Sequence, residues 1–456
     1  MNSEPKHVGI GISAQLLHKT SSAEQLASLA GISIFLMIST AIVAGLWQAF
    51  PTWPSGLFAW IAAMLLVSRV SVAQILQIGA LLLTGVVALF SALAIGANPP
   101  WLRLLDSYAG LLSMIAAVSF LKLVAMPKSA RAENLPCGPI AFQRTLLAVL
   151  VLGSFINISA PILIGDRLAQ KGGLSAFAAQ SITRAFSGCS AWSPFFGGMA
   201  VVVTYIADTN LLFVMMVGLP FAILGLLVIL LEARFCYQDR LVDFAGYPMT
   251  ASSLKVPVVL AIFVSLGYQF LPQVSILIII AMAALMVCLL MLPVSHGSDE
   301  AARRFCSHVL DGLPAMVGEL LLFLAAGVLA VGLSTLVAAT QIGLPIIGNF
   351  DAAAAGALLA AMVVISALGA HPIITIAVVT PLLAPINPDP QLLAVTYLFG
   401  WSLGTCASPL SGTHLVIQGR FGISSVKGAL RNWPFVTVMY LVSLLFLMLV
   451  AKFQGI

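Results

Sequence analysis

Apolar runs of spanning length, roughly 17–25 residues for a helix, recur along nearly the whole chain. They fall near 28–49, 54–70, 74–97 and 105–126. A polar, basic segment with Lys128, Arg131, Glu133 and Arg144 follows, and the runs resume at 142–165, 176–206 and 210–232. Beyond a loop carrying Arg234, Asp239, Arg240 and Lys255 come 255–271, 274–293, 314–338, 352–386, 391–417 and 432–451. The pattern predicts an all-α chain. Two runs are interrupted by short polar stretches, Gly188-Cys189-Ser190-Ala191-Trp192-Ser193-Pro194-Phe195-Phe196-Gly197 and Gly404-Thr405-Cys406-Ala407-Ser408-Pro409-Leu410-Ser411-Gly412-Thr413-His414. Ser193-Pro194-x-x-Gly197 aligns with Ser408-Pro409-x-x-Gly412. Proline removes a backbone donor and glycine loosens the coil. Breaks are expected around Gly188 and Pro194, and around Gly404, Pro409 and Gly412. Such backbone persists at membrane depth only where protein shields it or it lines a cavity.

Composition then fixes the class. With 61% apolar and 8% charged residues and a mean hydropathy of +1.10, the chain reads as an integral protein of the lipid bilayer. The net charge of +5 sits in loops, which speaks for topology and against nucleic-acid binding. Residues 1–27 read as a polar cytoplasmic tail holding Lys6 and Lys19, with no cleavable signal. Six cysteines without CxxC spacing indicate neither a metal site nor a disulfide framework. Cys189 and Cys406 read as small residues that let backbones approach.

Charge parity decides how the runs are counted. If 142–165 crossed the membrane, Arg131 and Arg144 would face Arg167 and Lys171 across it, against the positive-inside tendency. As a re-entrant hairpin with its tip near Asn157-Ile158-Ser159-Ala160-Pro161, it leaves both flanks cytoplasmic. The 234–255 loop, Arg303 and Arg304, and the Arg420, Lys427 and Arg431 group then fall inside as well. Segments 340–351 and 386–390, nearly free of Lys and Arg, fall outside. They bracket 352–386, a second hairpin from the opposite face with its tip near Gly369-Ala370-His371-Pro372. The expectation is eleven spans and two opposed hairpins, with the N-terminus cytoplasmic. An extra first span (28–53) precedes two inverted repeats, 54–250 and 251–456, each ordered hairpin, broken helix, closing span. Interrupted helices at matching positions of two halves point to a secondary transporter with its site between the repeats.

This arrangement resembles the ion transporter superfamily, in particular the divalent anion:sodium symporters, over roughly residues 55–456. Ser408-Pro409-Leu410-Ser411-Gly412-Thr413 is also similar to the S-P-x-S-x-T motif of NhaC-type sodium/proton antiporters of that superfamily. The Ser-Asn-Thr signature of the sodium-dicarboxylate symporters is absent: the tips read Asn157-Ile158-Ser159 and Ala370-His371-Pro372. The resemblance implies a bacterial inner-membrane transporter of a small organic anion, sodium- or proton-coupled. It also implies elevator-like motion of the hairpins and broken helices past a scaffold, and a homodimer. A sodium/proton antiporter, or the membrane subunit of a binding-protein-dependent carboxylate transporter, are the alternatives.

Free helix termini near the midplane favour an anion at exposed N–H groups and a small cation at exposed carbonyls. On this logic Asn157, Ser159, Ser190 and Ser193 form one substrate half-site, and Thr375, Ser408, Ser411 and Thr413 the other. Sodium would take carbonyls near Asn157, Gly188, Gly369 and Thr405. His371 and His414, the histidines of the expected core, could bind substrate, carry a proton or serve packing. Arg184 is expected to snorkel to the cytoplasmic surface, and no Asp or Glu lies deep in a span, which weakens the antiporter alternative. Leu410-Ser411-Gly412 superficially resembles an intramembrane-protease serine, but the first glycine of G-x-S-G is missing. Catalysis is not expected, nor any cofactor beyond a possible sodium ion.

The hairpin reading has a direct check. Arg131→Cys and Lys171→Cys, each in a cysteine-free background, are both expected to resist an impermeant thiol reagent added outside intact cells. Labelling of one alone would show that 142–165 crosses completely.

Overall fold

Helices make up the regular structure of the computed structural model, which describes residues 22–125, 135–170, 172–248, 254–341 and 349–456. Lys6, Lys19, Lys128, Arg131, Glu133, Lys171 and most of 340–351 lie outside them. The chain opens with α1 (Ser22–Leu46), α2 (Trp53–Leu66), α3 (Val72–Ala94) and α4 (Ala109–Val118). A hairpin follows, α5 (Pro139–Ile156) and α6 (Ser159–Ala169). Then comes a broken helix, α7 (Ala176–Ser187), α8 (Cys189–Trp192) and α9 (Gly197–Tyr205), closed by α10 (Leu211–Cys236). The second half runs α11 (Lys255–Phe270), α12 (Ile276–His296), α13 (Ser298–Ser307) and α14 (Val317–Thr340). A second hairpin, α15 (Ala352–Ala367) and α16 (Pro372–Leu383), precedes the second broken helix, α17 (Pro390–Ala407) and α18 (Gly412–Phe421). The long helix α19 (Ser425–Gln454) closes the chain.

The protein is an all-α membrane protein. Among the described residues, nine helices are long and apolar enough to cross a membrane, with Lys255–Phe270, Ala352–Ala367 and Pro372–Ile386 as shorter apolar helices. This differs from the expected count of eleven spans. The run at 54–70 is α-helical only over Trp53–Leu66, and 391–417 is divided at its break. Conversely Pro139–Ile156, expected as one arm of a hairpin, is long enough by itself. The tail expected to reach residue 27 is already helical from Ser22.

The helices form two compact units. One takes the described residues up to Ile78, with Trp101–Val124 and Val259–Leu324. Here α1 packs on α2 and α4, and α4 packs on α12. Phe35, Phe120 and Phe305 cluster around one end, where the His308 ring meets Phe120 edge-on and its Nε2 lies 2.8 Å from the Ser119 hydroxyl.

The other unit takes the described residues of Gly79–Pro100, Ala125–Val258 and Ala325–Ile456, so it holds both hairpins and both broken helices. Its axis is α17, buried without interruption from Leu392 to Gly404. A helix apolar on every side belongs inside a larger assembly, and α7, α8, α9, α10, α15, α16 and α19 surround it. Gly400 and Gly404, four residues apart, let α15 come close. A Cβ at Gly400 would lie 2.5 Å from Met362 Sδ, and one at Gly404 2.6 Å from Ser366 Oγ. The outer helices are apolar on their exposed sides too, as at Leu212, Met216, Ile223 and Leu227 of α10.

Contacts along the helices fix their directions. The Phe142 ring, at the start of α5, stacks 5.3 Å from Phe177 at the start of α7, while Gly153 further on meets Phe186 and Cys189. Helices α5 and α7 are therefore parallel, and α6 must return the chain to the end it left. In the same way Met362 and Ser366 lie beside Gly400 and Gly404, so α15 and α17 are parallel and α16 is the returning arm. Helix α10 runs antiparallel to the first broken helix, with Arg184 at Glu232 and Ala191 at Gly218. It runs parallel to α17, with Asn210 at Gln391 and Phe221 stacked on Phe399. The two hairpins thus enter this unit from opposite ends.

The closest backbone approach in this arrangement gives a test. A Cβ at Gly218 would lie 1.9 Å from the Ala191 carbonyl oxygen, whereas Gly79 faces open space. Gly218→Val is expected to lower stability in detergent by about 1–3 kcal/mol, read as a lower unfolding temperature. Gly79→Ala should leave it equal or higher, because alanine is the better helix former. Equal unfolding temperatures for parent and Gly218→Val would mean that α8 and α10 do not meet as described.

Candidate functional site

Both breaks follow from the same local chemistry. The residue before proline is pushed out of the helical region by the pyrrolidine ring, and Ser193 (φ −77°, ψ 125°) and Ser408 (φ −83°, ψ 122°) are accordingly extended. Each serine N–H still donates to the carbonyl four residues back, Ser193 to Cys189 at 3.0 Å and Ser408 to Gly404 at 2.9 Å. Each hydroxyl oxygen then accepts the N–H two residues on, from Phe195 at 3.2 Å and from Leu410 at 3.3 Å. One residue later, Phe196 and Ser411 each donate an N–H back to the serine carbonyl at 3.3 Å. Both then adopt extended dihedrals, and a new helix starts. The two breaks match bond for bond. They differ in the cap: the Ser411 side chain accepts from His414 N–H, while Phe196 offers none.

Each hairpin tip packs on the break of its own half. At the first tip Asn157 has φ 51° and ψ −137°, a conformation that favours glycine and costs an asparagine on the order of 1–3 kcal/mol. Ser193 Oγ donates to the Ser154 carbonyl at 2.6 Å, and the Phe155 and Phe195 rings lie 4.9 Å apart. At the second tip Gly369 takes φ +100°, with Leu410 against it. The His371 ring stands edge-on to Trp401 at 4.9 Å, and Trp401 in turn covers Gly198 of the first broken helix. The halves are joined where Ser402 Oγ donates to the Ser187 carbonyl at 2.9 Å and Cys406 Sγ to Ser187 Oγ at 3.0 Å.

The expected site residues therefore gather in one unit, though not in equal roles. Asn157 and Ser159 are half-buried at the first tip, and Ser193, Ser408 and Ser411 form the breaks themselves. Thr413 and His414 are buried in the first turn of α18. Ser190 is turned away from the break, its hydroxyl donating to the Ser187 carbonyl at 2.7 Å. The breaks are bounded by Pro194, Pro409 and Gly412 as expected, and α7 also ends and α8 begins at Gly188, but Gly404 bounds nothing. Gly188 has helical dihedrals and its carbonyl accepts from Ala191 N at 3.2 Å; Gly404 lies inside α17. Glycine permits a break without enforcing one, and proline does enforce it. The Thr405 hydroxyl bonds back to Trp401.

Among the described residues, three buried polar atoms at the site have no protein partner: Trp192 Nε1 beside the first break, and Ser366 Oγ and Thr375 Oγ1 on the two arms of the second hairpin. Natural proteins rarely leave such atoms unsatisfied. Of these, Thr375 was a candidate site residue in the sequence, and Ser366 was not.

Arg184 corrects the snorkelling expectation. It is 4% exposed and points inward. Its Nε donates to Asn432 Oδ1 at 2.9 Å, Nη1 to the Glu232 carboxylate, and Nη2 to the Arg431 carbonyl at 2.9 Å, over the face of Phe435. Asn432, fully buried, also donates Nδ2 to the Cys406 carbonyl at 3.2 Å and lies 3.3 Å from His414 Nε2. Sequence reasoning passed over Asn432 because Arg431 beside it marked the segment as a basic loop.

No family model matches the sequence. No curated protein matches it either. Among solved structures, the YdaH transporter of Alcanivorax borkumensis, described as having an unusual topology, is similar with a TM-score of 0.51 at 16% identity. The match covers 83% of this chain and 98% of that one. The fold is one a transporter uses.

Removing one partner of a buried pair leaves an uncompensated charge, at about 3–5 kcal/mol. Arg184→Gln is expected to lower stability in detergent by that order, and Arg184→Gln with Glu232→Gln to recover part of it. A loss below about 1 kcal/mol for Arg184→Gln would show that the guanidinium is solvated.

Proposed function

We propose that the chain is a secondary active transporter of a small organic anion, a carboxylate, coupled to sodium or protons. The observation that carries this reading is the pair of matched Ser-Pro breaks, each starting a new half-helix beside a hairpin tip. Half-helix N-termini carry the positive end of the dipole and unpaired N–H groups, which suit an anion. Ser193, Ser408, Ser411, Thr413 and Thr375 add hydroxyls without adding charge, while Asn157, Ser159, Ser190, His371 and His414 complete the set. Carbonyls near Asn157, Gly369 and Thr405 would serve a sodium ion.

The opposed hairpins support an inverted repeat of 54–250 and 251–456. The likeness to the divalent anion:sodium symporters and the fold shared with a transporter agree with this reading. In it the hairpins and broken helices travel together in an elevator-like motion, the protein is a homodimer, and it lies in a bacterial inner membrane with a cytoplasmic N-terminus.

Purified protein in vesicles is expected to accumulate a labelled carboxylate under an inward cation gradient and to show counterflow. Pro409→Ala, which lets the helix continue, should lower the maximal rate. Sodium-evoked proton flux without any anion would instead identify an antiporter, and no flux of either kind would refute the reading.

A further inference from the structure

The polar chain from Arg184 to Ser411 determines where each proton sits. Arginine can only donate, so the Asn432 atom 2.9 Å from Arg184 Nε is Oδ1. A backbone carbonyl can only accept, so the Asn432 atom 3.2 Å from the Cys406 oxygen is Nδ2. Two independent neighbours therefore fix the amide the same way round, removing the usual ambiguity of asparagine. Nδ2 also faces His414 Nε2 at 3.3 Å. An NH2 group requires an acceptor there, so Nε2 carries a lone pair. The imidazole proton is then on Nδ1, 2.8 Å from Ser411 Oγ. Ser411 Oγ accepts this proton and, at 3.4 Å, the His414 backbone N–H. Both lone pairs are engaged. The hydroxyl proton remains, and the Ser411 hydroxyl makes no further bond among the described residues.

We propose that Arg184 and Asn432 lock His414 as the neutral tautomer protonated on Nδ1, and that this makes Ser411 a donor toward the transported solute. The solute class it selects carries an acceptor oxygen, such as a carboxylate, in line with the transport reading on which this last step rests. His414 is a positioning residue here. An imidazolium would set Nε2–H against the Asn432 NH2 group, which opposes a transported proton here, although the Ser408 and Thr405 carbonyls also face the ring and would accept from it.

The charges around it point the same way. Arg184 faces it through Asn432 from α7, and Arg431 of α19 lines the same small cleft as His414. Glu232 of α10 is paired with Arg184, and on the elements packed against α18, Asp166 of α6 is held by Arg420. Arg167 of α6 and Lys427 of α19 are further cations.

Ring 15N spectra of histidine-labelled full-length protein test the lock without any transport measurement. With His414 assigned by its loss in His414→Gln, the expected pattern at neutral pH is a protonated Nδ1 and a bare Nε2. Asn432→Asp places a carboxylate where an NH2 donated, and should move a proton onto Nε2. It should also give solute affinity a pH dependence absent from the parent. A parent spectrum showing Nε2–H or imidazolium overturns the lock, whether or not Asn432→Asp folds. Ser411→Ala is expected to weaken apparent carboxylate affinity about tenfold to a hundredfold; unchanged affinity overturns the donor assignment. Absence of carboxylate transport in the parent would refute the transport reading while leaving the spectra to decide the lock.

Discussion

A backbone amide in hydrocarbon has no water to turn to, and this constraint organises the unit that holds the breaks. Each proline interrupts a helix where no solvent can replace the lost bonds. The serine before it repairs the gap twice, with its N–H backwards into the preceding helix and its hydroxyl oxygen forwards onto the amide two residues on. What the serine leaves over is covered by a hairpin tip, so each broken helix needs a hairpin and each hairpin a broken helix. The burial of α17 follows from this. It carries one break, contacts the other at Ser187, and receives the second hairpin through Gly400 and Gly404.

The Arg184 cluster is the second tie between the halves. Isolated, a guanidinium over the Phe435 ring and among the surrounding helices would be costly to bury. It is tolerated because every nitrogen has an acceptor, and those acceptors lie on α10 and α19 while Arg184 itself belongs to α7. Through Asn432 the same cluster reaches α17 and α18 on both sides of the second break. Five helices thus share one bonding pattern, and a shift of any of them breaks a hydrogen bond of the cluster. Such a knot allows these elements to move together more readily than past one another.

Much of this arrangement was legible in the sequence. Ser-Pro inside an apolar run marked both breaks to within a residue, because the clash before proline is local and needs no knowledge of neighbours. The turns expected near Asn157 and Gly369 are present, each separating two antiparallel helices. Gly404 misled, because a glycine in a well-packed helix stays helical unless something else breaks it. Arg184, Glu232 and Asn432 were hidden for a related reason. Each looks like a membrane-edge residue taken singly, and only the antiparallel meeting of α7 and α10 brings them face to face.

The two breaks share a backbone but not a chemistry, and the difference gives the proposed site its two sides. In the first, Phe196 provides no cap, so the leading N–H groups of α9 have no side-chain acceptor, and a helix start supplies no partner of its own. In the second, Ser411 caps α18 and keeps its hydroxyl proton. One half can therefore meet an anion with bare amides, whose direction is fixed by the helix, and the other with a hydroxyl whose direction is fixed by His414. Matched backbones with unlike caps would let the same solute be held from opposite ends of the unit by contacts of different strength.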